Sequence, residues 1–237
     1  MNVTIWNEFK GQDSDAVRAA YPQTLHKAIA DAVSGDGVSV RTSTMLDKDV
    51  GLGDELLEST DVLVWWGHCY HDSIPDETVA KIRDRVLRGM GIIFLHSAHV
   101  SKPFKSLMGT SCTLGWREAA ERERLWTVSP AHPIAKGVPP CVVLEHEEAY
   151  CEPFDIPEPD ETVFIGWFKG GNVFRSGVTY RRGRGKIFYF QPGHETHPNY
   201  VNPDIAKILH NAVRWAYNPD ILPKMPGCPN LSNVEPL

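Results

Sequence analysis

Two uninterrupted apolar segments, DVLVWW at 61–66 and GIIFL at 91–95, constrain the fold of this chain more than any other feature. Such runs are typical of strands buried on both faces, as in a parallel sheet with helices on either side. Between them, residues 75–87 place apolar side chains at helical spacing, and Gly89 follows as a helix-terminating residue. The order strand, helix, strand therefore predicts a doubly wound α/β sheet with right-handed crossovers.

The remaining segments extend this sheet. Residues 24–33 and 204–215 have apolar side chains at helical spacing, and residues 38–42 alternate as a strand does. We predict extra strands in the second half, the last two joined by the turn-forming segment RRGRG, at 126–128, 142–145, 162–167, 176–180 and 186–191. Composition does not shift along the chain, which predicts a single domain over residues 1–218 and an extended tail over 219–237.

Composition excludes several classes of protein. The net charge of −6 and the scattered basic residues provide no track for a nucleic-acid backbone, so we expect no nucleic-acid partner. The five cysteines have neither zinc-finger nor redox spacing, and we predict no disulfide framework. The N-terminus lacks the pattern of a signal peptide, and no apolar run approaches the about 18 residues of a membrane span. We therefore expect a cytoplasmic protein with no membrane partner.

Histidines are concentrated in the segments that follow the predicted strands. In open α/β sheets the ligand crevice lies beyond the carboxyl ends of the strands, so a site is expected in these segments. Burying so many imidazoles without partners would be costly, which indicates that they share polar partners, a metal or a substrate. Seven of the ten histidines fall there: His68, His71, His96, His99, His146, His194 and His197.

Two chemistries fit this set of histidines, and the residues alone do not decide between them. One is a divalent metal ion held by imidazoles and a carboxylate, which polarises a carbonyl group or activates water. The other is metal-free acid–base catalysis by a histidine with a Glu or Asp partner. The pairs His68/His71 and His96/His99 have a spacing that suits chelation, although neither has the helix-borne H-E-x-x-H form.

Several motifs resemble, in their order along the chain, those of the ThuA-like (trehalose-utilisation) proteins of the class I glutamine-amidotransferase-like superfamily. They are WNEF, YP before the first helix, VWWGHCYHD, FLHSAH and QPGHETHPNY, and the match runs from about Val3 to Tyr217. The resemblance implies a flavodoxin-like fold with a mostly parallel sheet, helices on both faces and extra strands in the second half.

The same resemblance argues against glutamine amidotransferase activity. In amidotransferases a nucleophilic Cys occupies the elbow that here follows GIIFL, and this chain holds His96 and Ser97 at that point. The late His and Glu of the amidotransferase pattern are echoed by His194 and Glu195, but these two are adjacent in sequence rather than separated. We therefore do not expect this activity.

The resemblance also implies a sugar substrate, such as trehalose or its 3-keto derivative made by a partner dehydrogenase. In a 3-keto sugar the carbonyl acidifies the neighbouring C–H, so cleavage or isomerisation there needs a base, an acid and an electrophile. On this interpretation one divalent ion (zinc, manganese, nickel or iron) supplies the electrophile, and no nucleotide cofactor is expected. The predicted metal ligands are His68, His99 and His194, and the predicted catalytic residues are His96, Glu147, His194 and Glu195.

Substrate contacts are expected from polar and aromatic side chains in the same segments, namely Asn7, Glu8, Trp66, Tyr70 and Asp72. Aromatic faces pack on sugar rings, and polar side chains bind hydroxyl groups.

The clustering of histidines with carboxylates favours an enzyme, namely a lyase, a hydrolase or an isomerase. The alternative is a non-catalytic sugar-binding or regulatory protein with the same fold. The oligomeric state, including a homo-oligomer, stays open.

Overall fold

The computed structural model describes residues 1–10 and 14–230 and contains a nine-stranded mixed sheet. The strands lie in the order β2-β1-β3-β4-β9-β8-β7-β5-β6. Their bounds are β1 Asn2–Asn7, β2 Ser39–Thr44, β3 Val62–Trp66, β4 Gly91–Leu95, β5 Gly115–Thr127, β6 Cys141–Cys151, β7 Glu161–Phe168, β8 Val173–Arg182 and β9 Gly185–Phe190. The helices are α1 Asp15–Ala20, α2 Leu25–Val33, α3 Asp54–Glu58, α4 Asp76–Arg88, α5 Lys102–Met108 and α6 Pro203–Ala216.

The sheet has a parallel half and an antiparallel half. β2, β1, β3, β4 and β9 pair in parallel, whereas β9, β8, β7, β5 and β6 pair antiparallel. β8 and β9 are joined through Gly183, whose φ of 57° provides the tight turn expected from the segment RRGRG. The predicted α/β fold, with a doubly wound parallel part and extra strands from the second half, is confirmed.

Helices cover both faces of the parallel half, which explains its uninterrupted apolar sequence. In β3, Val62, Val64 and Trp66 pack into the core that also holds α2 and α6. The alternate residues Leu63 and Trp65 pack into the core that also holds α3, α4 and α5. Since every position of β3 and β4 is buried, no polar alternation could appear in either strand.

β5 is much longer than the sequence predicts. Its first part, GWREAAERER, is mostly exposed and charged, so it lacks the apolar pattern by which a strand is recognised. Its pairing with β6 is irregular between Arg117 and Glu123, and Ala120 there has a positive φ of 47°. The predicted strand at 126–128 is therefore too short, and its residues 126 and 127 are the end of a 13-residue strand.

The sequence analysis also places Glu147 and Glu148 in a loop, whereas both lie within the strand β6.

The chain after α6 follows the surface near the end of α4. Residues 219–230 form no helix or strand, and the Arg88 guanidinium donates to the carbonyl groups of Leu222 and Pro223 at 3.3 and 2.7 Å. The rest of the predicted tail, residues 231–237, lies outside the described part of the chain. No helix among the described residues is long and apolar enough to cross a lipid bilayer.

Candidate functional site

Three histidines that follow three different strands meet at the carboxyl edge of the parallel half. His68 follows β3, His96 follows β4 and His194 follows β9. One ring nitrogen of each lies within 4.8 Å of one ring nitrogen of the other two. The rings of His68 and His96 are nearly parallel, with centroids 5.9 Å apart, and His194 meets them edge-on at 5.4 and 5.3 Å. We call His68, His96 and His194 the histidine cluster.

His96 is the most constrained member of the cluster. It begins the turn after β4 with a φ of 53°, a left-handed conformation that is uncommon for residues other than glycine. Its side chain is fully buried, and Nδ1–H donates to the Gln191 carbonyl at 3.0 Å. This hydrogen bond directs Nε2 toward the cluster, in the manner of metal-binding histidines whose second nitrogen is held by a carbonyl group.

Glu148 is the carboxylate that faces His96. Glu148 Oε2 lies 3.0 Å from His96 Nε2, but the two are not aligned as a hydrogen bond. Burial by itself would lower the pKa of His96, yet Glu148, with Glu147 and Glu195, raises that pKa to about 9. Burial likewise opposes ionisation of Glu148, and the adjacent His96 lowers the pKa of this carboxyl below its usual range. Without a bound cation, the two form an imidazolium–carboxylate pair at neutral pH.

The other two histidines of the cluster face further polar groups. His68 Nδ1 lies 3.0 Å from Ser97 Oγ and 3.5 Å from Glu195 Oε2. His194 Nε2 lies 3.8 Å from the same Glu195 oxygen. Burial, and then the charge of His96, lower the pKa of His194 to about 3, so its imidazole is neutral at pH 7. Glu148 Oε2 and Glu195 Oε2 are both buried and accept no aligned hydrogen bond within residues 1–10 and 14–230.

Glu147 holds the loop that carries His194. Its side chain is fully buried and accepts hydrogen bonds from the backbone N–H groups of Gly193, His194 and Glu148 at 2.6, 3.2 and 2.9 Å. The Asn199 amide donates to it as well, at 2.8 Å. Both oxygens of Glu147 are therefore occupied, whereas Glu148 Oε2 accepts no aligned hydrogen bond within the described part of the chain.

His99, a predicted metal ligand, lies away from the cluster, and His96 stands in the place expected for it. His99 Nδ1–H donates to the Cys112 carbonyl at 2.7 Å, and the ring packs edge-on against Tyr150 and Phe154. It follows His96 by three residues in a 3₁₀ turn, but its hydrogen bond and ring contacts are with Cys112, Tyr150 and Phe154 and not with the cluster. Burial lowers the pKa of His99 to about 4.

Replacing His99 by asparagine is expected to weaken the pH dependence of stability. The folded protein keeps His99 neutral down to about pH 4, whereas the unfolded chain protonates it below about pH 6.5. Its contribution is therefore fully present above pH 6.5 and is lost as the pH falls toward 4. The shift corresponds to up to about 3 kcal/mol over that window. Urea unfolding of wild type and His99→Asn at pH 7, 6, 5 and 4 checks this, and parallel profiles for the two proteins would contradict it.

The predicted substrate-binding residues are split between the interior and the rim. Glu8 is buried and accepts from the backbone N–H groups of residues 68–70 at 2.8 to 3.2 Å, so it holds the loop that carries His68. Asn7 is buried and bonds Phe9 N and His26 Nδ1. Trp66 is buried and its indole N–H donates to the Gly193 carbonyl at 3.1 Å. Only Tyr70, which is half-buried, and Asp72, which is exposed, reach the surface.

A cavity of about 330 Å³ opens beside the cluster and contains residues that are not among the predicted catalytic, metal-binding or substrate-binding residues. Ser97 and Tyr150 line it together with His68, His99 and Glu148, and Ser97 Oγ lies 3.0 Å from the Tyr150 hydroxyl. Tyr150 and Glu148 share one face of β6, two residues apart. Strand periodicity could have linked them, but β6 is buried on both faces here, so the sequence does not show which face is functional.

β5 brings a further carboxylate to the site. Glu118 Oε1 lies 3.2 Å from His197 Nε2, and Glu118 Oε2 lies 4.0 Å from His194 Nε2. These three residues form a second group with metal-ligand spacing that shares His194 with the cluster. No sequence signal pointed to Glu118, because it lies in the polar part of β5 that has no recognisable strand pattern.

A family model for ThuA, described as trehalose utilisation, matches residues 2–216 of this sequence. The chain belongs to the ThuA family. No curated protein is similar enough in sequence to match it.

Solved structures with the same fold include ThuA-like proteins and an amidotransferase. A ThuA-like protein from Parabacteroides merdae superposes with a TM-score of 0.68 at 15% identity, covering 95% of this chain and 93% of that one. A cytoplasmic protein from Salmonella typhimurium gives 0.63 at 15% identity, with 92% and 99% covered. A glutamine amidotransferase from Thermotoga maritima gives 0.52 at 10% identity, with 90% and 96% covered. At these identities the likeness shows the shared fold of this ThuA family member.

Proposed function

We propose that this ThuA family protein is a carbohydrate-active enzyme that acts on a disaccharide such as trehalose, in its 3-keto form. The reaction is cleavage or isomerisation next to the carbonyl group, assisted by one divalent metal ion. A sugar dehydrogenase acting upstream supplies the ketone, and no nucleotide cofactor is needed. We place the protein in the cytoplasm.

The observation that carries this proposal is the convergence of three imidazoles with two carboxylate oxygens that lack aligned hydrogen bonds. Glu148 Oε2 and Glu195 Oε2 are buried beside the histidine cluster and accept no aligned hydrogen bond from the residues that the structure describes. Each is faced by a histidine of the cluster, at 3.0 Å from His96 Nε2 and 3.5 Å from His68 Nδ1, respectively. A divalent ion held by His68, His96 and His194 would take over from the imidazoles as the positive charge beside both carboxylates. Because the donor set is rich in imidazole, zinc, nickel and iron suit it better than manganese.

A bound ion would polarise the substrate carbonyl and stabilise the negative charge that develops on its oxygen. Glu148 is placed to take the proton from the carbon next to the carbonyl, because its buried Oε2 lies beside the cluster and accepts no aligned hydrogen bond from the described residues. In an elimination, the C–H electron pair forms the new double bond and the glycosidic C–O bond breaks. The proton held by Glu148 passes to the departing oxygen, so the atoms and charges balance. Glu147 and Glu8 keep the loops of His194 and His68 in place for this step.

Elemental analysis of the purified, untagged protein tests the metal site. We expect near-stoichiometric metal in the wild type. In His194→Ala we expect a loss of metal affinity greater than the about 10–100-fold change that is typical when a group hydrogen-bonded to a metal ligand is replaced. His210→Ala is the matched control, since His210 lies on α6 and bonds Arg214 at 2.8 Å. Thermal melts of all three proteins show whether they are folded.

A folded wild-type protein that neither contains nor takes up a divalent ion would contradict the metal-assisted reaction. The imidazolium–carboxylate pair of His96 and Glu148 would then remain as a metal-free acid–base catalyst. Turnover separates either enzyme from the alternative, a non-catalytic sugar-binding or regulatory protein. Such a protein binds the sugar with no release of glucose, whether or not a metal is present.

A further inference from the structure

We propose that Trp116 is the platform on which the substrate's pyranose ring stacks, so that the cavity beside the histidine cluster selects mono- and disaccharides by one apolar ring face. This inference rests on the proposed function and adds a specificity-determining residue outside the acid–base and metal-binding groups.

The exposure of Trp116 is the first observation behind this assignment. The side chain is 69% exposed, the largest fraction among the exposed large apolar residues of residues 1–10 and 14–230. It lines the cavity of about 330 Å³. A single exposed apolar side chain is common on protein surfaces, and it is the position of this indole at the cavity that makes it available to cover a ligand ring.

The cavity combines apolar and polar groups in its lining, which is the second observation. Trp116, Leu114 and Val100 provide apolar side chains. His68, Ser97 and Glu148 contribute ring nitrogen, hydroxyl and carboxylate groups. A pyranose ring matches such a combination, because its C–H face is apolar and its hydroxyl groups project at the edge. The volume lies at the lower end of the about 300–1,000 Å³ typical of small-molecule sites, which favours one or two sugar rings over a longer chain.

Strand pairing fixes the backbone that carries Trp116. Trp116 lies opposite Tyr150 in the β5–β6 pair, and Tyr150 is buried with its hydroxyl bonded to Ser97. The preceding residue, Gly115, lies so close to Cys151 that a Cβ there would be 2.5 Å from its Sγ. Cross-strand pairing and this close approach hold the start of β5 against β6, so Trp116 is carried by a paired strand rather than by a free loop.

A larger groove elsewhere in the molecule lacks the groups expected of the sugar site. It has a volume of about 500 Å³ and lies between α2 and the start of α6, lined by Tyr21, Lys27 and Tyr200 among others. Lys27 is paired with Asp31, and neither the histidine cluster nor the two carboxylates beside it line this groove. The smaller cavity, beside the histidine cluster, is therefore the proposed sugar site.

Calorimetric titration with trehalose, 3-keto-trehalose and glucose tests the role of Trp116, together with steady-state kinetics. We expect Trp116→Ala to raise both the Kd and the KM for the sugar by about tenfold, because truncating a central aromatic contact weakens binding by about this much. The kcat should change little. Trp116→Phe keeps an aromatic face and should stay within about threefold of wild type. Trp167→Ala is the matched control, because Trp167 is 46% exposed on β7 and lies beside Arg124, outside the cavity lining.

The outcomes separate this inference from the proposed function. Wild-type binding and turnover with unchanged Kd and KM in a folded Trp116→Ala would overturn the platform and leave the proposed function standing. An equal loss in Trp167→Ala would overturn it as well, since the effect would not belong to the cavity. If the wild type neither binds nor converts any of the three sugars, the proposed function fails, and the platform fails with it.

Discussion

Replacing Glu148 by glutamine is expected to lower kcat by about 10²–10⁴-fold while changing KM little. Glutamine keeps the size of the side chain but cannot accept the proton that leaves the carbon next to the carbonyl. Glu148 Oε2 is the buried carboxylate oxygen 3.0 Å from His96 Nε2, so no neighbouring base replaces it in the same position. Turnover of the 3-keto disaccharide by wild type and Glu148→Gln is the measurement.

The adjacent residue provides the control for this variant. Glu147→Gln would turn an amide NH₂ group toward the N–H donors of Gly193, His194 or Asn199. A buried donor left without an acceptor costs about 1–3 kcal/mol, so we expect Glu147→Gln to lower the free energy of unfolding by that amount. Glu148→Gln should unfold close to wild type, because His96 can release its proton when the carboxylate is gone. Full turnover by Glu148→Gln would exclude Glu148 as the base.

Replacing Gly193 by alanine is expected to destabilise the protein by about 3 kcal/mol or more. Gly193 has a φ of 131°, and a Cβ there would overlap the hydroxyl oxygen of Tyr200. Tyr200 is 1% exposed and packs in the core with α2 and α6, so it cannot move aside without opening that core. The same backbone carries His194, and we expect metal binding to fall together with stability.

Gly171→Ala separates backbone strain from steric clash in this prediction. Gly171 has a φ of 89°, and no atom lies within 4 Å of the position that an added methyl carbon would take. Only the left-handed strain of about 1–2 kcal/mol therefore applies there. Urea unfolding of Gly193→Ala, Gly171→Ala and wild type compares the two costs. Equal destabilisation of both variants would mean that the Tyr200 contact is not as close as the structure places it.

The alternation of strands and helices could be read from short segments because its signal is local. DVLVWW and GIIFL are buried on both faces of β3 and β4, and a run of apolar residues follows directly from that burial. The early part of β5 could not be recognised in the same way. Its outward residues are charged, and its pairing with β6 depends on residues about 30 positions later in the chain, which no local pattern contains.

The candidate site divides in a similar way. The motifs after β3, β4 and β9 placed His68, His96 and His194 at one edge of the sheet, because parallel strands end together there. We predicted Glu147 as a catalytic residue and not Glu148, but no local pattern distinguishes the two, since both are buried and differ only in the groups that contact them. The spacing of His99 predicts a metal ligand, whereas in the folded chain its Nδ1–H donates to the carbonyl group of Cys112, 13 residues later.

The sequence by itself determined the parallel core, the family and the segments in which histidines would gather, because apolar runs and motifs are properties of neighbouring residues. Only the tertiary structure decided which side chains of those segments meet. The hydrogen bond from His96 to Gln191 joins residues 95 positions apart, and the contact between Trp116 and the cavity depends on how β5 pairs with β6. The direction in which each of these side chains points is set by packing between segments that are distant in sequence. That packing exists only once the sheet has formed.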